Sequence, residues 1–239
     1  MTPRPLACRL ESRSALRRSW PGSSGEAWLS DGEREVYAGL RDARRREAWL
    51  FGRLLGKDLI LSRVGARLGA RGAAAPGRIE ILSRDGLGRA VRPRVLVEGR
   101  VQPWALSLAH SDRFVLVIFC EEPGAAVGVD VAPIRPPGAG FLGFWFTPRE
   151  RAWVRARANQ GPRRAATLWA VKEAFYKAVN AGERFAPGRI EVRVDRPGRY
   201  AVRREGSRPG GPCEVQVAAA GGEVMAAVRV AGRPAAAAP

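Results

Sequence analysis

This chain of 239 residues has few cysteines, very little lysine and no long apolar run. Its three cysteines, Cys8, Cys120 and Cys213, are odd in number and far apart, so they fit neither a disulfide framework nor a cysteine-based metal knuckle. The longest apolar run, residues 114–120, is far too short to span a bilayer. A metal ion, if the protein binds one, must therefore be held by oxygen atoms.

The N-terminal segment lacks the features of a secretory signal. Residues 1–20 scatter arginine among short apolar pieces and contain no continuous hydrophobic region, so we expect a cytoplasmic protein without a membrane partner. Hydrophobic residues make up 46% of the chain and charged residues 27%, which is ordinary for a globular protein with a real core. The length allows one large domain or two small ones.

The charge is strongly positive and is carried almost entirely by arginine. The net charge is +18, and lysine occurs only at positions 57, 172 and 177, which leaves 38 arginines. Because arginine is the usual cation in this chain, we expect lysine at positions where a guanidinium group cannot replace it, such as a position where the cation must release a proton near neutral pH. The charges are spread along the chain without a nucleic-acid-binding motif, so an acidic protein partner or a polyphosphate ligand explains them better than specific nucleic-acid binding.

The sequence divides into two halves of similar content, which we assign to residues 1–123 and 124–233, with a disordered tail at 234–239. In the first half, residues 1–27 indicate a strand followed by a loop. Ser30 and Glu33 form a capping box that opens helical sequence to about residue 61. A linker at residues 65–77 and three strands follow: 79–82, 104–109 and 114–120.

The second half begins with a buried-type strand at residues 127–131. Thr147 caps a helix to about residue 158, and a strong helix spans residues 165–179. Short strands follow at 189–194, 200–204, 213–218 and 224–230. Each half thus predicts a helix with about three strands, no internal repeat is apparent, and the class is α+β.

Three places could carry chemistry: His110 in a polar corner between strands, Asp130 at a strand end, and the pair Glu173 and Lys177 on one helix. Each has a structural alternative. A lone histidine is more often a hydrogen-bonded structural residue, and Asp130 before a proline-rich loop can cap that loop. Glu173 and Lys177, at i, i+4 spacing, also form the commonest ion pair of a helix surface.

Taken together, these residues favour a site for phosphoryl-type transfer. Two carboxylates on a strand end and a nearby helix can bind Mg²⁺, which completes its shell with water and phosphate oxygens. Lys177 can neutralise a phosphate oxygen or supply a proton to a leaving group, and His110 can add a hydrogen bond to the same polyphosphate. No GxxxxGK[ST] phosphate loop occurs.

Two segments resemble the motifs of the Sfp-type 4′-phosphopantetheinyl transferases. Residues 127–131 look like the (V/I)G(V/I)D(V/I) motif, and residues 168–177 look like WxxKEAxxK, which is the more specific of the two. The resemblance covers about residues 28–195. It includes four further segments: 107–111 (SxSHS), 146–150 (F(T/S)xxE), 88–90 (GKP or GRP) and 44–60 (the basic R…GR…LL helix).

This resemblance implies a monomer of two similar α+β subdomains related by a pseudo-twofold axis. It implies transfer of the phosphopantetheine arm of coenzyme A to a serine of an acidic acyl or peptidyl carrier protein, with release of 3′,5′-ADP. Asp130 and Glu173 would bind Mg²⁺, Glu173 or its water would take the serine proton, and Lys177 would stabilise or protonate the leaving phosphate. Five further residues would hold coenzyme A: His110, Arg89, Arg46, Arg53 and Lys172.

The chain departs from the family pattern at two places. Ala132 stands where an acidic residue is usual two positions after the motif aspartate, and residues 180–185 replace a GxGL turn. These departures leave a second hypothesis open beside the active transferase, namely a catalytically weakened homologue that binds coenzyme A or a carrier protein. A basic nucleic-acid-binding module is the third hypothesis.

Overall fold

The structure, a computed structural model, describes residues 6–69, 75–84, 90–180, 182–196, 198–206 and 213–231. The chain forms two compact units, Met1–Ala125 and Ala126–Pro239. Each consists of helices packed on small antiparallel sheets, which confirms the α+β class. No helix in these ranges is both long and apolar enough to cross a bilayer. The predicted tail at 234–239 lies outside the described residues.

The first unit contains three α-helices: α1 (Arg13–Ser19), α2 (Asp31–Ala38) and α3 (Ala43–Gly69). The predicted capping box is present, since Ser30 Oγ accepts from the Glu33 backbone N–H and the Glu33 carboxylate accepts from the Ser30 N–H. The single helix expected to residue 61 is instead two, interrupted at residues 39–42. The helix at 13–19 and the extension of α3 through residues 65–69 correct the predicted loop and linker.

The described strands of this unit are β1 (Ala7–Ser12), β2 (Ile79–Arg84), β3 (Ala90–Val97), β4 (Arg100–Val101), β5 (Ala105–His110) and β6 (Phe114–Cys120). They form two three-stranded antiparallel sheets, in the orders β1-β6-β5 and β2-β3-β4. Buried apolar side chains of α3, such as Leu54 and Ile60, share one core with Val115 and Val117 of β6. Strand β1, which precedes α1, pairs with β6, in agreement with the expected N-terminal strand.

The described elements of the second unit are β7 (Ala126–Pro133), α4 (Ala139–Trp145), α5 (Pro148–Arg155), α6 (Gly161–Val179), β8 (Ile190–Arg196), β9 (Arg199–Arg204), β10 (Cys213–Ala220) and β11 (Glu223–Val230). Helix α6 packs on a three-stranded antiparallel sheet of order β10-β11-β7. Leu168, Val171 and Ala174 of α6 are completely buried in the core of the unit. A separate hairpin pairs β8 with β9. All predicted strands of this half are present, whereas α4 was not predicted.

A buried lysine of the first unit joins α3 to neighbouring elements. Lys57 of α3 has no solvent exposure, and its Nζ donates to a carboxylate oxygen of Glu33 and to the Trp28 carbonyl, the latter at 2.6 Å. The other oxygen of Glu33 accepts from the Ile81 N–H at 2.9 Å. The capping-box glutamate therefore links α2, α3 and β2 at one point.

The second unit repeats this arrangement. Lys172 of α6 is likewise inaccessible, and its Nζ donates to Glu150 Oε2 at 2.7 Å and to the Trp145 carbonyl at 2.9 Å. Glu150, the glutamate of the capping box at Thr147, also accepts from the Val192 N–H at 2.7 Å. Helix, capping-box glutamate and strand are thus joined in the same way in both units.

A short sequence repeat accompanies these two ion pairs, which corrects the expectation that the chain contains no internal repeat. Residues 75–81 read Ala-Pro-Gly-Arg-Ile-Glu-Ile, and residues 186–192 read Ala-Pro-Gly-Arg-Ile-Glu-Val. In both units this segment forms a short 3-10 turn followed by the strand whose N–H binds the buried glutamate.

Gly128 sets the distance between β7 and α6. A Cβ atom at this position would lie 1.8 Å from the Ala174 carbonyl oxygen and 2.7 Å from the Ala178 nitrogen. Both are backbone atoms, so the strand can approach the helix this closely only with glycine at this position. The contact lies two residues before Asp130 and one residue after Glu173, and it brings the strand carboxylate to the helix.

We predict that Gly128→Ala destabilises the protein by about 3 kcal/mol, because either β7 or α6 must move. Gly143→Ala is the matched control: Gly143 is exposed in α4 and has open space around it, so this change should be neutral or stabilising by roughly 0.5–1 kcal/mol. Urea unfolding of both variants measures the difference. Equal stability of the two would show that the strand and helix are not in contact.

Candidate active site

Asp130, Glu173 and Lys177 lie together, as the sequence predicted for the strand end and the helix. Lys177 Nζ donates to Asp130 Oδ1 at 2.7 Å and to the Val129 carbonyl at 3.1 Å, and it lies 3.8 Å from Glu173 Oε2. The lysine therefore binds the strand more closely than its own helix. This geometry replaces the alternative of a simple surface ion pair with a three-residue cluster.

Glu173 lies in an environment that disfavours its ionised form. Burial, followed by the neighbouring charge of Asp130, raises the pKa of Glu173 to about 7, while Lys177 acts in the opposite direction. Asp130 is nearly buried and Glu173 is partly exposed, with 10% and 28% of their side chains accessible. One ammonium group for two carboxylates leaves this cluster one positive charge short when both are ionised.

Trp169 is a site residue whose chemical role the sequence analysis missed. Its indole is hydrogen-bonded to the Glu173 carboxylate and favours the ionised form of that group. Phe185, from the segment that replaces the family's turn, packs against the Trp169 ring at a centroid distance of 5.6 Å. The signal was present in the i, i+4, i+8 spacing of Trp169, Glu173 and Lys177, which places all three on one helix face.

Ala132 lies at the wall of an apolar cavity of about 330 Å³ that also borders Trp169. The alanine is 3% exposed, and the cavity is lined largely by proline, alanine and aromatic side chains, with Arg135 as its charged member. An acidic side chain at position 132 would therefore find room, but few polar partners.

The residues of the cluster fit a hard divalent cation. Asp130 and Glu173 both lie beside Lys177, and within the described ranges no group of three or more histidine, cysteine or acidic side chains could hold a metal ion. Mg²⁺ commonly uses one or two carboxylates and completes its shell with water and phosphate oxygens. Two neighbouring carboxylates, one of them Glu173 with its raised pKa, are a donor set whose ionised form such a cation would stabilise.

The corresponding place in the first unit has different charged side chains. Asp58 follows the buried Lys57 as Glu173 follows Lys172, and β1 pairs with the last strand of its unit as β7 does. There, however, Asp58 forms an ion pair with Arg9 of β1. Arg9 Nε also lies 3.6 Å from Glu11 Oε1, so an arginine lies beside two carboxylates here, where the second unit has a lysine.

Lys172 requires a correction. Its Nζ donates to Glu150, the Trp145 carbonyl and the Pro187 carbonyl, at 2.7, 2.9 and 2.9 Å, and the side chain has no solvent exposure. All three ammonium protons are used, so none remains for a coenzyme A phosphate. We therefore reassign Lys172 from cofactor binding to the structural ion pair of the second unit.

His110 ends β5 and is exposed in the first unit. The predicted polar corner is present: Ser111 Oγ accepts from the N–H groups of Arg113 and Phe114 at 3.1 and 3.0 Å, which closes the turn into β6. Ser111 thus organises the corner. The predicted role of His110 toward a phosphate stays a prediction.

The arginines expected to hold coenzyme A occupy different environments. Arg46 stacks on the Tyr37 ring at 4.1 Å, and its buried Nε has no hydrogen-bond partner in the described part of the chain. Arg53 stacks on Trp49 at 4.2 Å, donates to Ser83 Oγ at 2.6 Å and is 6% exposed. Its burial lowers its pKa to about 10. Arg89 lies outside the described residues.

Comparison with known proteins finds a family match within the second unit. Residues 126–228 match the model of the 4′-phosphopantetheinyl transferase superfamily, ACPS. The match confirms the resemblance predicted from the motifs, and it includes β7 with Asp130 and α6 with Glu173 and Lys177. A search of curated proteins finds no match.

Solved structures of acyl carrier protein synthases are similar over part of the chain. The ACPS–CoA complex of Chronobacterium ammoniagenes is 27% identical, covering 46% of this chain and 98% of that one, with a TM-score of 0.38. The Mycobacterium tuberculosis acyl carrier protein synthase is 28% identical over 45% and 97% of the two chains, with a TM-score of 0.36. The Thermotoga maritima holo-[acyl-carrier-protein] synthase is 21% identical over 45% and 64%, with a TM-score of 0.39.

We predict that Glu173→Gln changes the pH dependence of stability in metal-free buffer. The folded-state pKa of about 7 exceeds the ordinary value of 4.5, so Glu173 favours folding below pH 4.5 and loses this contribution as pH rises to 7. The free energy of unfolding of the wild type, relative to Glu173→Gln, should fall by up to roughly 3 kcal/mol between pH 4.5 and 8. Urea titrations in EDTA measure it; a constant difference between the two proteins would contradict the raised pKa.

Proposed function

We propose that this protein moves the 4′-phosphopantetheine group of coenzyme A to a serine of an acyl or peptidyl carrier protein, releasing 3′,5′-ADP. The proposal starts from the match of residues 126–228 to the 4′-phosphopantetheinyl transferase superfamily. The observation that carries the proposal is the contact among Asp130, Glu173 and Lys177 inside the matched region. Such a cluster combines a base, a cation and a metal-binding pair, which phosphoryl-type transfer requires.

Glu173 is the proposed base. The serine oxygen forms a bond to the phosphorus that carries the pantetheine arm, and the bond from this phosphorus to the bridging pyrophosphate oxygen breaks. The serine proton passes to the Glu173 carboxylate, directly or through a water. A carboxylate with a pKa near 7 is matched to this task because it is a stronger base than an ordinary glutamate and is still partly ionised at neutral pH.

Lys177 is the proposed partner of the leaving phosphate. Its ammonium is held between the Val129 carbonyl and Asp130, and 31% of its side chain is exposed, so it can turn toward a substrate oxygen. There it would neutralise developing charge or donate a proton. Mg²⁺, bound by Asp130 and Glu173, would supply charge neutralisation for the pyrophosphate.

The first unit is proposed to hold coenzyme A. His110 and Arg46 keep the roles that the resemblance implies, on a phosphate and on the 3′-phosphate or adenine side. Arg53 is largely buried and hydrogen-bonded to Ser83 of β2. Its proposed role is therefore to position the Trp49 ring rather than to supply most of the contact with coenzyme A. Arg89 stays in the proposed set on the resemblance alone.

A carrier protein with an acidic recognition surface would be favoured by the net charge of +18, which speeds encounter with an oppositely charged partner. The cytoplasm is the proposed location. Ala132 supports the second candidate function, a homologue that binds coenzyme A or a carrier with weakened transfer, because the apolar cavity at this position supplies no third carboxylate.

We predict that Lys177→Ala lowers the rate of phosphopantetheine transfer by roughly two orders of magnitude, the usual scale for a positioned proton donor or charge stabiliser. Lys177→Arg should give an intermediate rate, because it restores charge but does not release a proton near neutral pH. Arg149→Ala, which removes one exposed charge from α5, is the control and should match the wild type. The mass added to a carrier protein reports transfer. Wild-type activity in Lys177→Ala would contradict the assigned role.

We further predict that Asp130→Asn raises the Mg²⁺ concentration for half-maximal transfer by at least roughly tenfold, since even indirect partners of a metal contribute this much to affinity. Glu214→Gln, an exposed change on β10, is the control. Ala132→Glu should lower the Mg²⁺ requirement if its carboxylate reaches the metal. Full activity of the wild type in excess EDTA would refute the metal role. An inert wild type that Ala132→Glu activates would establish the weakened homologue.

A further inference from the structure

A second cavity, of about 650 Å³, lies in the second unit near the N-terminus of α6. Arg163 and Thr167 line it from α6, on a different helix face from Trp169, Glu173 and Lys177. The function proposed above makes no use of this cavity. Its volume is within the range of small-molecule binding sites, which are concave and have a few placed polar groups on an apolar wall.

The charge of this cavity is strongly one-sided. Four arginines line it, Arg157, Arg163, Arg164 and Arg196, against the single carboxylate of Asp195. Arg157, Arg163 and Arg196 are exposed, and none of the three forms an ion pair with another described residue. Positively charged groups that line one cavity repel one another, and a bound anion would reduce this repulsion.

One of the four guanidinium groups is already fixed in place. Arg164 Nη1 donates to the Trp153 carbonyl at 2.6 Å, and its guanidinium carbon lies 4.6 Å from the centroid of the Trp153 ring. These two contacts orient the group and leave further N–H donors for a ligand. Because the orientation is set before binding, less conformational entropy is lost when an anion binds.

The rest of the wall is apolar and partly aromatic. Val194, Val217 and Val224 line it from the hairpin and the sheet, and Tyr200 and Trp153 add ring surface. A bare inorganic anion would leave this surface in contact with water. A ligand that uses the whole cavity therefore needs phosphate groups for the arginines and a flat, weakly polar body for the aromatic and aliphatic wall.

We propose that this cavity binds a nucleotide, with its phosphates on Arg163, Arg164 and Arg196 and its base against the Trp153 and Tyr200 wall. Guanidinium groups bind phosphate oxygens in a bidentate geometry, and aromatic rings stack on bases. A concave cavity of this size suits a single nucleotide better than an extended strand. The proposal is independent of the transferase function, because none of these residues belongs to the Asp130 cluster.

Calorimetric titration of the full chain in EDTA tests this, with ADP, pyrophosphate and adenosine as probes. ADP should bind more tightly than either of the other two. Arg163→Gln/Arg196→Gln should weaken ADP binding by roughly tenfold or more, the scale for losing hydrogen bonds to charged groups. The matched control is Arg199→Gln/Arg203→Gln, which removes the same charge from exposed positions of β9 outside the cavity and should leave the affinity within about twofold.

The outcomes distinguish ADP binding in this cavity from binding at the candidate active site and from a nonspecific effect of positive charge. Lys177→Ala should leave unchanged the ADP binding that depends on Arg163 and Arg196, and Arg163→Gln/Arg196→Gln should keep phosphopantetheine transfer. Equal weakening in both double variants, or pyrophosphate binding as tightly as ADP, would overturn the proposal. So would tight binding of a single-stranded oligonucleotide that depends on Arg163 and Arg196 when ADP does not bind, because the cavity would then be part of a nucleic-acid surface.

Discussion

The second unit depends on a lysine that has no contact with water. Lys172 fixes α6 through Glu150 and two backbone carbonyls, so the helix that carries Glu173 and Lys177 has a defined position relative to α5 and β8. A buried ion pair of this kind is costly to break, because removing one partner leaves an uncompensated charge in the core. The first unit uses the same solution with Lys57 and Glu33.

These pairs explain why lysine persists in a chain that otherwise uses arginine. Lys57 and Lys172 each place a compact ammonium with three donors among a carboxylate and backbone carbonyls, and a guanidinium would bring five donors in a plane to the same small space. The third lysine, Lys177, is in the candidate site. The hypothesis that lysine marks special positions therefore describes all three.

The two units differ where chemistry is proposed. On similar frameworks, the first unit pairs Asp58 and Glu11 with Arg9, whereas the second unit pairs Asp130 and Glu173 with Lys177. In the second unit, burial and the charge of Asp130 raise the pKa of Glu173 to about 7. A lysine, unlike an arginine, can also release a proton near neutral pH. The choice of lysine over arginine thus distinguishes the candidate active site from the corresponding place in the first unit.

The sequence by itself determined the α+β class, the capping box at Ser30, the helix cap at Thr147, the strand at Asp130 and the helix shared by Glu173 and Lys177, because helix and strand periodicity and cap chemistry are local. Tertiary structure alone decided that Lys177 turns to Asp130, that Lys172 is buried, and that Gly128 brings the strand against the helix. It also decided that Arg163 and Arg196, 33 positions apart, line one cavity. Contacts between residues distant in the chain depend on packing, and no local pattern encodes the distance between a strand and a helix.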